Sequence, residues 1–121
     1  MEQEKVYAKS KNLAQCIEDC LDCQRSCLTT MFYCLDAGGK YAETEHIRVM
    51  LDCVALCRTS ADLMVRESGL HAEVCAVCAV ACKRCAQACE RFSNDRHMQA
   101  SVQMCRRCEK SCRKMARYEA A

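Results

Sequence analysis

Core-type positions recur along this chain at alternating spacings of three and four residues, the period of the inward-facing stripe of an α-helix. Cysteine, not leucine, occupies most of them. The cysteines form four runs: Cys16, Cys20, Cys23, Cys27 and Cys34; Cys53 and Cys57; Cys75, Cys78, Cys82, Cys85 and Cys89; and Cys105, Cys108 and Cys112. Written as heptads, all 15 cysteines fall at a or d positions, which line the interior of helical bundles.

The pattern predicts four helices, over residues 6–35, 44–67, 70–92 and 95–118. Ala37-Gly38-Gly39 ends the first helix, because paired glycines tolerate the positive φ angles found at helix C-termini. Thr44 is a predicted N-cap, Ser68-Gly69 closes the second helix, and Ser93-Asn94-Asp95 marks a turn that can cap the fourth. Short connections favour one all-α domain over residues 1–121, an antiparallel up-down-up-down four-helix bundle with a cysteine-lined core.

Apolar residues beside the cysteine stripes are expected to seal the gaps between helices. The second helix has the fewest cysteines and the most apolar surface, so it is also expected to form a subunit contact. The residues in question are Ile17, Leu21, Leu28, Phe32 and Leu35 on the first helix, Ile47, Val49, Leu51, Val54, Leu56 and Leu63 on the second, and Ala76, Val77, Ala79, Val80 and Ala81 on the third, whose small side chains are expected to allow close helix approach.

The amino-acid composition also indicates an unusual core. Cysteine makes up 15 of 121 residues, about 12 %, a level typical of disulfide scaffolds and metal proteins. An odd number of cysteines excludes complete internal disulfide pairing. Residues 1–5 are polar and lack the basic and apolar stretches of a secretory signal, so we expect a cytoplasmic protein with reduced thiols. Nothing in the sequence approaches a membrane span, so no membrane partner is expected.

The fourth helix carries a basic face away from its cysteines: Arg106, Arg107, Lys110, Arg113, Lys114 and Arg117. The net charge of only +2 and the absence of an aromatic stacking platform favour a solvated helix face over a nucleic-acid surface. No nucleic-acid partner is therefore expected.

Thiols three or four residues apart on a helix can hold one soft ion between them, and thiolates select Cu(I), Zn(II) or iron–sulfur clusters. Zinc prefers a closed tetrahedron, whereas Cu(I) accepts two or three sulfurs, so successive sites can share ligands. Fifteen thiols in phase indicate capacity for many ions. A zinc or multi-metal buffer and a thiol redox buffer or sensor remain alternatives. The sequence contains no nucleophile–histidine–carboxylate pattern that would indicate an enzyme.

From Cys16 to Cys112 the sequence resembles the cytosolic copper storage proteins, four-helix bundles whose CxxC and CxxxC pairs point inward. The resemblance implies that the cysteine set binds multiple Cu(I) ions and that the bundles assemble as a homotetramer. A copper chaperone or a small-thiol donor is a candidate partner. In this family, His and Met residues lie at one open end of the bundle.

The predicted topology places the Gly38 turn and the Ser93–Asp95 turn at one end of the bundle. There His46, Met50 and Met98 continue the cysteine stripes, with His97 beside them. We therefore expect His46, Met50, His97 and Met98 to form a mouth of neutral metal ligands. At the opposite end, Met64, Met115 and His71 are expected to plug the core. Thr30 and Ser60 interrupt the cysteine stripes, so the metal-site ladder is expected to be uneven there.

Overall fold

A computed structural model gives the backbone of residues 2–120 and the side chains of residues 11–116. It contains four α-helices: α1 (Glu2–Ala37), α2 (Thr44–Val65), α3 (His71–Glu90) and α4 (Arg96–Ala120). A short 3-10 helix (Gly39–Ala42) lies between α1 and α2. Consecutive helices pack side by side and α4 returns against α1, which closes a square bundle. The predicted four-helix bundle with a cysteine-lined core is confirmed.

Glycine sets the turn after α1, as predicted. Gly38 and Gly39 have φ angles of 71° and 56°, a region that residues with a Cβ rarely adopt. The amide of Gly38 donates to the carbonyl of Cys34 at 3.1 Å, which completes the last turn of α1. The two glycines therefore reverse the chain and send the 3-10 helix across the end of the bundle.

Two predicted helix ends differ in the structure. Thr44 is not an N-cap: it is the first helical residue of α2, and Glu43 is the cap, with an extended backbone at φ −61° and ψ 140°. α2 ends at Val65 and not at the predicted residue 67, and Glu67 has a positive φ angle of 48°. The amide of Ser68 donates to the carbonyl of Leu63 at 2.9 Å. This is the hydrogen bond of a Schellman motif, and it holds Glu67 in the left-handed conformation.

The N-terminus of α4 is capped by a residue of the predicted turn. Oδ1 of Asp95 accepts hydrogen bonds from the amides of His97 at 2.9 Å and Met98 at 3.3 Å. These bonds satisfy two of the amides that a helix leaves without partners in its first turn. Asp95 thereby fixes the start of α4 and the direction in which Met98 enters the core.

Apolar residues seal the bundle only in part. Ile17, Leu28, Val49 and Leu56 are partly buried against the core, as predicted. The expectation is wrong for a second set, each more than two-fifths exposed: Leu21, Phe32, Leu35, Leu51, Val77 and Val80. Small residues lie at the helix contacts of α3, where Ala79 and Ala81 are buried as predicted and Ala86 is buried as well. Close helix approach leaves the larger side chains on the outer surface.

Ion pairs join the basic face of α4 to neighbouring acidic residues. Arg106 bonds Glu90 of α3 at 2.5 Å and Glu109 at 3.0 Å, and Arg113 bonds Glu109 at 2.6 Å. Both arginines are about half exposed, so this part of the face is solvated and partly neutralised by carboxylates, and the side chain of Arg117 lies outside the described residues. None of the helices in the part of the chain that the structure covers is both long and apolar enough to cross a membrane.

Candidate metal centre

The bundle axis is lined with sulfur. Every one of the 15 cysteines is at most 1 % exposed, and all are free thiols. Their burial follows from the heptad phase, because each a or d position of a helix faces the opposite helices. The prediction that all cysteines face one axis is confirmed.

Five groups of thiols bring their sulfur atoms within 4.8 Å of one another. The groups are Cys23, Cys27, Cys53 and Cys105; Cys23, Cys53, Cys57 and Cys82; Cys57, Cys78, Cys82 and Cys108; Cys20, Cys78, Cys108 and Cys112; and Cys16, Cys75 and Cys112. Each group draws on three helices, and successive groups share members. Together they form a continuous ladder of sulfur along the axis, made from 12 of the 15 cysteines.

The spacing of the sulfurs suits metal ions better than disulfides. Neighbouring sulfurs lie between 3.6 Å for Cys20 and Cys112 and 4.0 Å for Cys108 and Cys112. A disulfide requires about 2.05 Å. Two metal–thiolate bonds of about 2.3 Å span up to roughly 4.6 Å, so one ion fits between such sulfurs with little movement.

Cys27 is the most connected thiol of the ladder. Its sulfur lies 3.8–3.9 Å from those of Cys23, Cys53, Cys85 and Cys105, on four different helices. The surrounding thiols, led by Cys105, and burial raise the pKa of Cys27. In the metal-free bundle this thiol is therefore protonated, and an ion that binds it must displace the proton.

A mixed nitrogen and sulfur cluster lies at the Gly38 end of the ladder. The sulfur of Cys34 is 3.4 Å from Nε2 of His46 and 3.7 Å from Sδ of Met98. Met50, one turn beyond His46 on α2, is fully buried. Burial, and then the charge of Asp95, raises the pKa of Cys34 to about 11. Three of the four predicted mouth residues are thus buried at this end of the core.

Arg91 controls the proton position on His46. Its Nη2 lies 3.4 Å from Nδ1 of His46, and a guanidinium can only donate. Nδ1 is therefore the acceptor, and Nε2 of the neutral ring carries the proton towards Cys34. Burial, and then the positive charge of Arg91, lowers the pKa of His46. A metal ion at Nε2 would need this proton to leave.

His97 does not join the other three mouth residues. Its ring is exposed and stacks on Tyr33, with 4.2 Å between the ring centroids. Successive residues of an α-helix are rotated by about 100°, so a side chain adjacent to buried Met98 points to the outer surface. The expectation that His97 lines the mouth is not supported by its position.

A polar and aromatic cover that was not predicted from the sequence lies over this end. The hydroxyls of Tyr33 and Tyr41 donate to Oδ2 of Asp95 at 2.7 and 2.8 Å. Phe92 stacks on Tyr41 at 4.1 Å and meets the ring of His46 edge-on at 5.3 Å. The bond to Tyr33 lowers the pKa of Asp95 and raises that of Tyr33 to about 12. The one available signal was that Tyr33, Tyr41 and Phe92 lie near predicted helix ends.

The opposite end is closed by larger side chains. Met64 and Met115 are fully buried and His71 is 5 % exposed. Nδ1 of His71 lies 2.8 Å from the carbonyl oxygen of Ser68 and donates to it. These positions match the predicted plug.

Three hydroxyl groups interrupt the sulfur lining. Thr30, Ser60 and Ser101 are each at most 2 % exposed. The thiol of Cys89 donates to Oγ of Ser101 at 3.8 Å. The sequence predicts Thr30 and Ser60 as gaps in the cysteine stripes. It does not predict Ser101, because this residue lies between Met98 and Cys105 in a stretch without other cysteines.

Comparison with known proteins agrees with this geometry. The family model described as copper storage protein matches residues 9–117. The chain belongs to the copper storage protein family. A protein of Nitrosospira multiformis of known structure is 42 % identical, with a TM-score of 0.84 over 90 % of this chain and 98 % of that one.

Two further relatives were solved with copper. The Cu(I)-bound copper storage protein BsCsp3, from Bacillus subtilis, is 30 % identical, with a TM-score of 0.80 over 87 % of this chain and 98 % of that one. A cytosolic copper storage protein of Streptomyces lividans, solved with five coppers, is 29 % identical, with a TM-score of 0.80 over 88 % and 93 % of the two chains. The Streptomyces protein was also solved loaded with ten copper equivalents.

Proposed function

We propose that this protein sequesters and stores Cu(I) in the cytosol, holding many ions as thiolate complexes inside the bundle. One observation carries the proposal: the sulfur groups overlap, so that Cys23, Cys53 and Cys57 each belong to two of them. A shared thiolate can bridge two ions, which turns a row of separate sites into a continuous store. Membership of the copper storage family supports the same role.

Shared ligands favour Cu(I) over zinc. A structural zinc site is a closed tetrahedron of four ligands, so the 12 thiols of the ladder complete at most three such sites without sharing. Cu(I) is satisfied by two or three sulfurs, so every step of the ladder can hold an ion. BsCsp3 in its Cu(I)-bound form has the same fold. We therefore place zinc or multi-metal buffering second.

Complete burial disfavours the redox alternative. Thiol–disulfide exchange requires a thiolate that a partner can reach, and all 15 cysteines are at most 1 % exposed. Because the family is one of storage proteins, we propose binding and not catalysis as the role of the chain.

The Gly38 end is the proposed entrance. Cys34, His46 and Met98, with Met50 behind them, would be the first ligands met by an ion that a copper chaperone or a small-thiol donor delivers. Thioether and imidazole are neutral, so they can pass an ion on without holding it as tightly as paired thiolates. His97 is left out of this set because it is exposed on the outer face of α4.

We also propose that the bundles assemble as a homotetramer, as the family resemblance implies. Leu51, Val77 and Val80 support an assembly, because these side chains of α2 and α3 are about half exposed. Val77 and Val80 line one groove together with Val49 and Leu56, and Leu51 lines a second groove with Ile47. Light scattering of the purified protein tests the subunit number.

Titration of the reduced protein with Cu(I), against a strong competing chelator, tests the storage function. We expect tight binding on the scale of the 15 thiols. A parallel titration with Zn(II), and elemental analysis of protein purified from unsupplemented cells, distinguish a copper store from a zinc buffer. Saturation after one or two Cu(I) equivalents would contradict storage.

A further inference from the structure

Ser60 is a buried residue whose hydroxyl group has no hydrogen-bond partner among the described side chains. The residue is 0 % exposed. Buried hydroxyls are almost always paired, and an unpaired one costs free energy in the folded state. Alanine would fill this position of α2 without that cost. The presence of serine here therefore suggests that the hydroxyl has a function.

The register of the bundle locates Ser60 beside the last groups of the sulfur ladder. It follows Cys57 by one turn, and the sulfur of Cys57 lies 3.8 Å from those of Cys78 and Cys108. Because α1 and α3 run antiparallel to α2, one further turn along α2 reaches the level of Cys16 and Cys75.

The thiol groups at this level have no member from α2. The group of Cys16, Cys75 and Cys112 draws on α1, α3 and α4, and so does the adjoining group that contains Cys20 and Cys78. Ser60 is the fully buried residue that α2 places here, between Cys57 and Met64. A hydroxyl therefore stands on the side of these groups where α2 supplies no sulfur.

Copper binding would produce an acceptor for this hydroxyl. When two thiols bind one Cu(I), two S–H bonds break, two Cu–S bonds form and two protons leave, with no electron transfer. The resulting complex carries one negative charge among buried thiols. A hydroxyl oxygen is a poor ligand for soft Cu(I), but its O–H is a strong donor to an anionic sulfur.

We propose that the hydroxyl of Ser60 donates a hydrogen bond to a copper-bound thiolate of the Cys16–Cys75–Cys112 end of the ladder. Ser60 is then a positioning residue that strengthens copper binding where α2 contributes no thiol. The inference rests on the proposed storage function, and it identifies which part of the store depends on a residue other than cysteine.

The variant Ser60→Ala tests this role through two measurements, one on the metal-free protein and one on the copper-loaded protein. In the metal-free protein, removing an unpaired buried hydroxyl leaves the melting temperature unchanged or raises it. In the copper-loaded protein, loss of a hydrogen bond to a charged group weakens binding of the ions at this end about tenfold to hundredfold, measured against a competing Cu(I) chelator. Thr59→Ala, which removes an exposed hydroxyl one residue earlier, is the matched control: it leaves copper affinity unchanged, and any rise in its metal-free melting temperature measures the gain in helix propensity alone.

Two further variants locate the effect. Ser60→Cys, nearly equal in size, replaces the hydroxyl by a ligand and keeps tight binding. In a Cys75→Ala background, the cost of Ser60→Ala shrinks, because residues that act on the same ion are not additive. Full copper affinity in Ser60→Ala, or a lower melting temperature of its metal-free form with unchanged loading, overturns the inference. Saturation of the unmodified protein at one or two ions would instead refute storage itself.

Discussion

The sulfur of Cys34 lies 3.4 Å from Nε2 of His46, where α1 ends and α2 begins. The contact joins two helices, and Met98, 3.7 Å from the same sulfur, adds a third. Cys34 belongs to none of the five close thiol groups, so this cluster differs in chemistry from the ladder behind it. An ion entering from this end would meet imidazole and thioether before it reaches the groups made only of thiolates.

We expect His46→Ala to slow Cu(I) uptake while leaving the final load within about one ion of the unmodified protein. In the proposed function the ring is a neutral ligand at the entrance, whereas most capacity resides in the thiol groups. The rate is followed by stopped-flow absorbance of the thiolate-to-copper charge-transfer band, and the load by chelator competition.

His97→Ala is the matched control for this experiment. It removes the same kind of ring from the same end of the bundle, but His97 is exposed and stacks on Tyr33. Neither rate nor load should change. Equal uptake rates in His46→Ala and the unmodified protein would rule out His46 as an entrance ligand.

The contrast between His97 and Met98 shows how far sequence reasoning reaches. Heptad phase correctly predicted that Met98 and all the cysteines are buried, because a periodic pattern determines which face of a helix is inward. His97 was grouped with Met98 by proximity in the chain, although adjacent helical residues point about 100° apart. The heptad phase alone therefore predicts that His97 points away from the core.

Other features depend on contacts between distant turns. Asp95 could be predicted as a cap from its position, but its bonds to Tyr33 and Tyr41 depend on how the 3-10 helix crosses the bundle end. No local sequence pattern predicts the course of the 3-10 helix across the bundle end. Likewise, Ser60 was visible as a gap in a stripe, whereas its unpaired hydroxyl becomes apparent only when all four helices are packed.

Loss of a highly connected thiol should reduce capacity more than loss of a peripheral one. Cys27 contacts four other sulfurs, whereas Cys89 lies outside the five close groups and bonds Ser101. We expect Cys27→Ala to lose more than one Cu(I) ion per chain and Cys89→Ala to lose at most about one. Both variants remove the same atoms from the core, so their metal-free stabilities should be similar. Identical losses of capacity would argue against bridging by Cys27.

Asp95 should stabilise the Gly38 end of the bundle through its cap and its tyrosine bonds. Asp95→Ala removes both, so we expect the free energy of unfolding to fall by about 1–2 kcal/mol. Asn is also a good N-cap, so Asp95→Asn should lose less. Urea denaturation of the metal-free protein measures both values. Unchanged stability in Asp95→Ala would show that the cover contributes nothing to the fold.

The same carboxylate predicts a pH dependence of stability. Hydrogen bonds from Tyr33 and Tyr41 and from helix amides lower the pKa of Asp95 in the folded state. A lowered folded-state pKa adds stability above the unfolded-state pKa, and this contribution is lost as pH falls through the folded-state value. The stability difference between the unmodified protein and Asp95→Asn should therefore shrink on acidification. A difference that stays constant from neutral to acidic pH would contradict this role.

Proton release should reveal whether thiolates are shared between ions. A cysteine thiol is largely protonated at neutral pH, so each thiol that becomes a ligand releases a proton. An ion that takes two unused thiols releases about two protons, whereas an ion added between thiolates that already bind copper releases fewer. In the overlapping groups that contain Cys57 and Cys108, the number of protons per ion should therefore start near two and fall as loading proceeds. Titration of the reduced protein with Cu(I) in a weakly buffered solution, with base added to hold the pH, measures this ratio at each step. A constant ratio of about two up to saturation would mean that no sulfur is shared, and the store would then hold about one ion for every two cysteines.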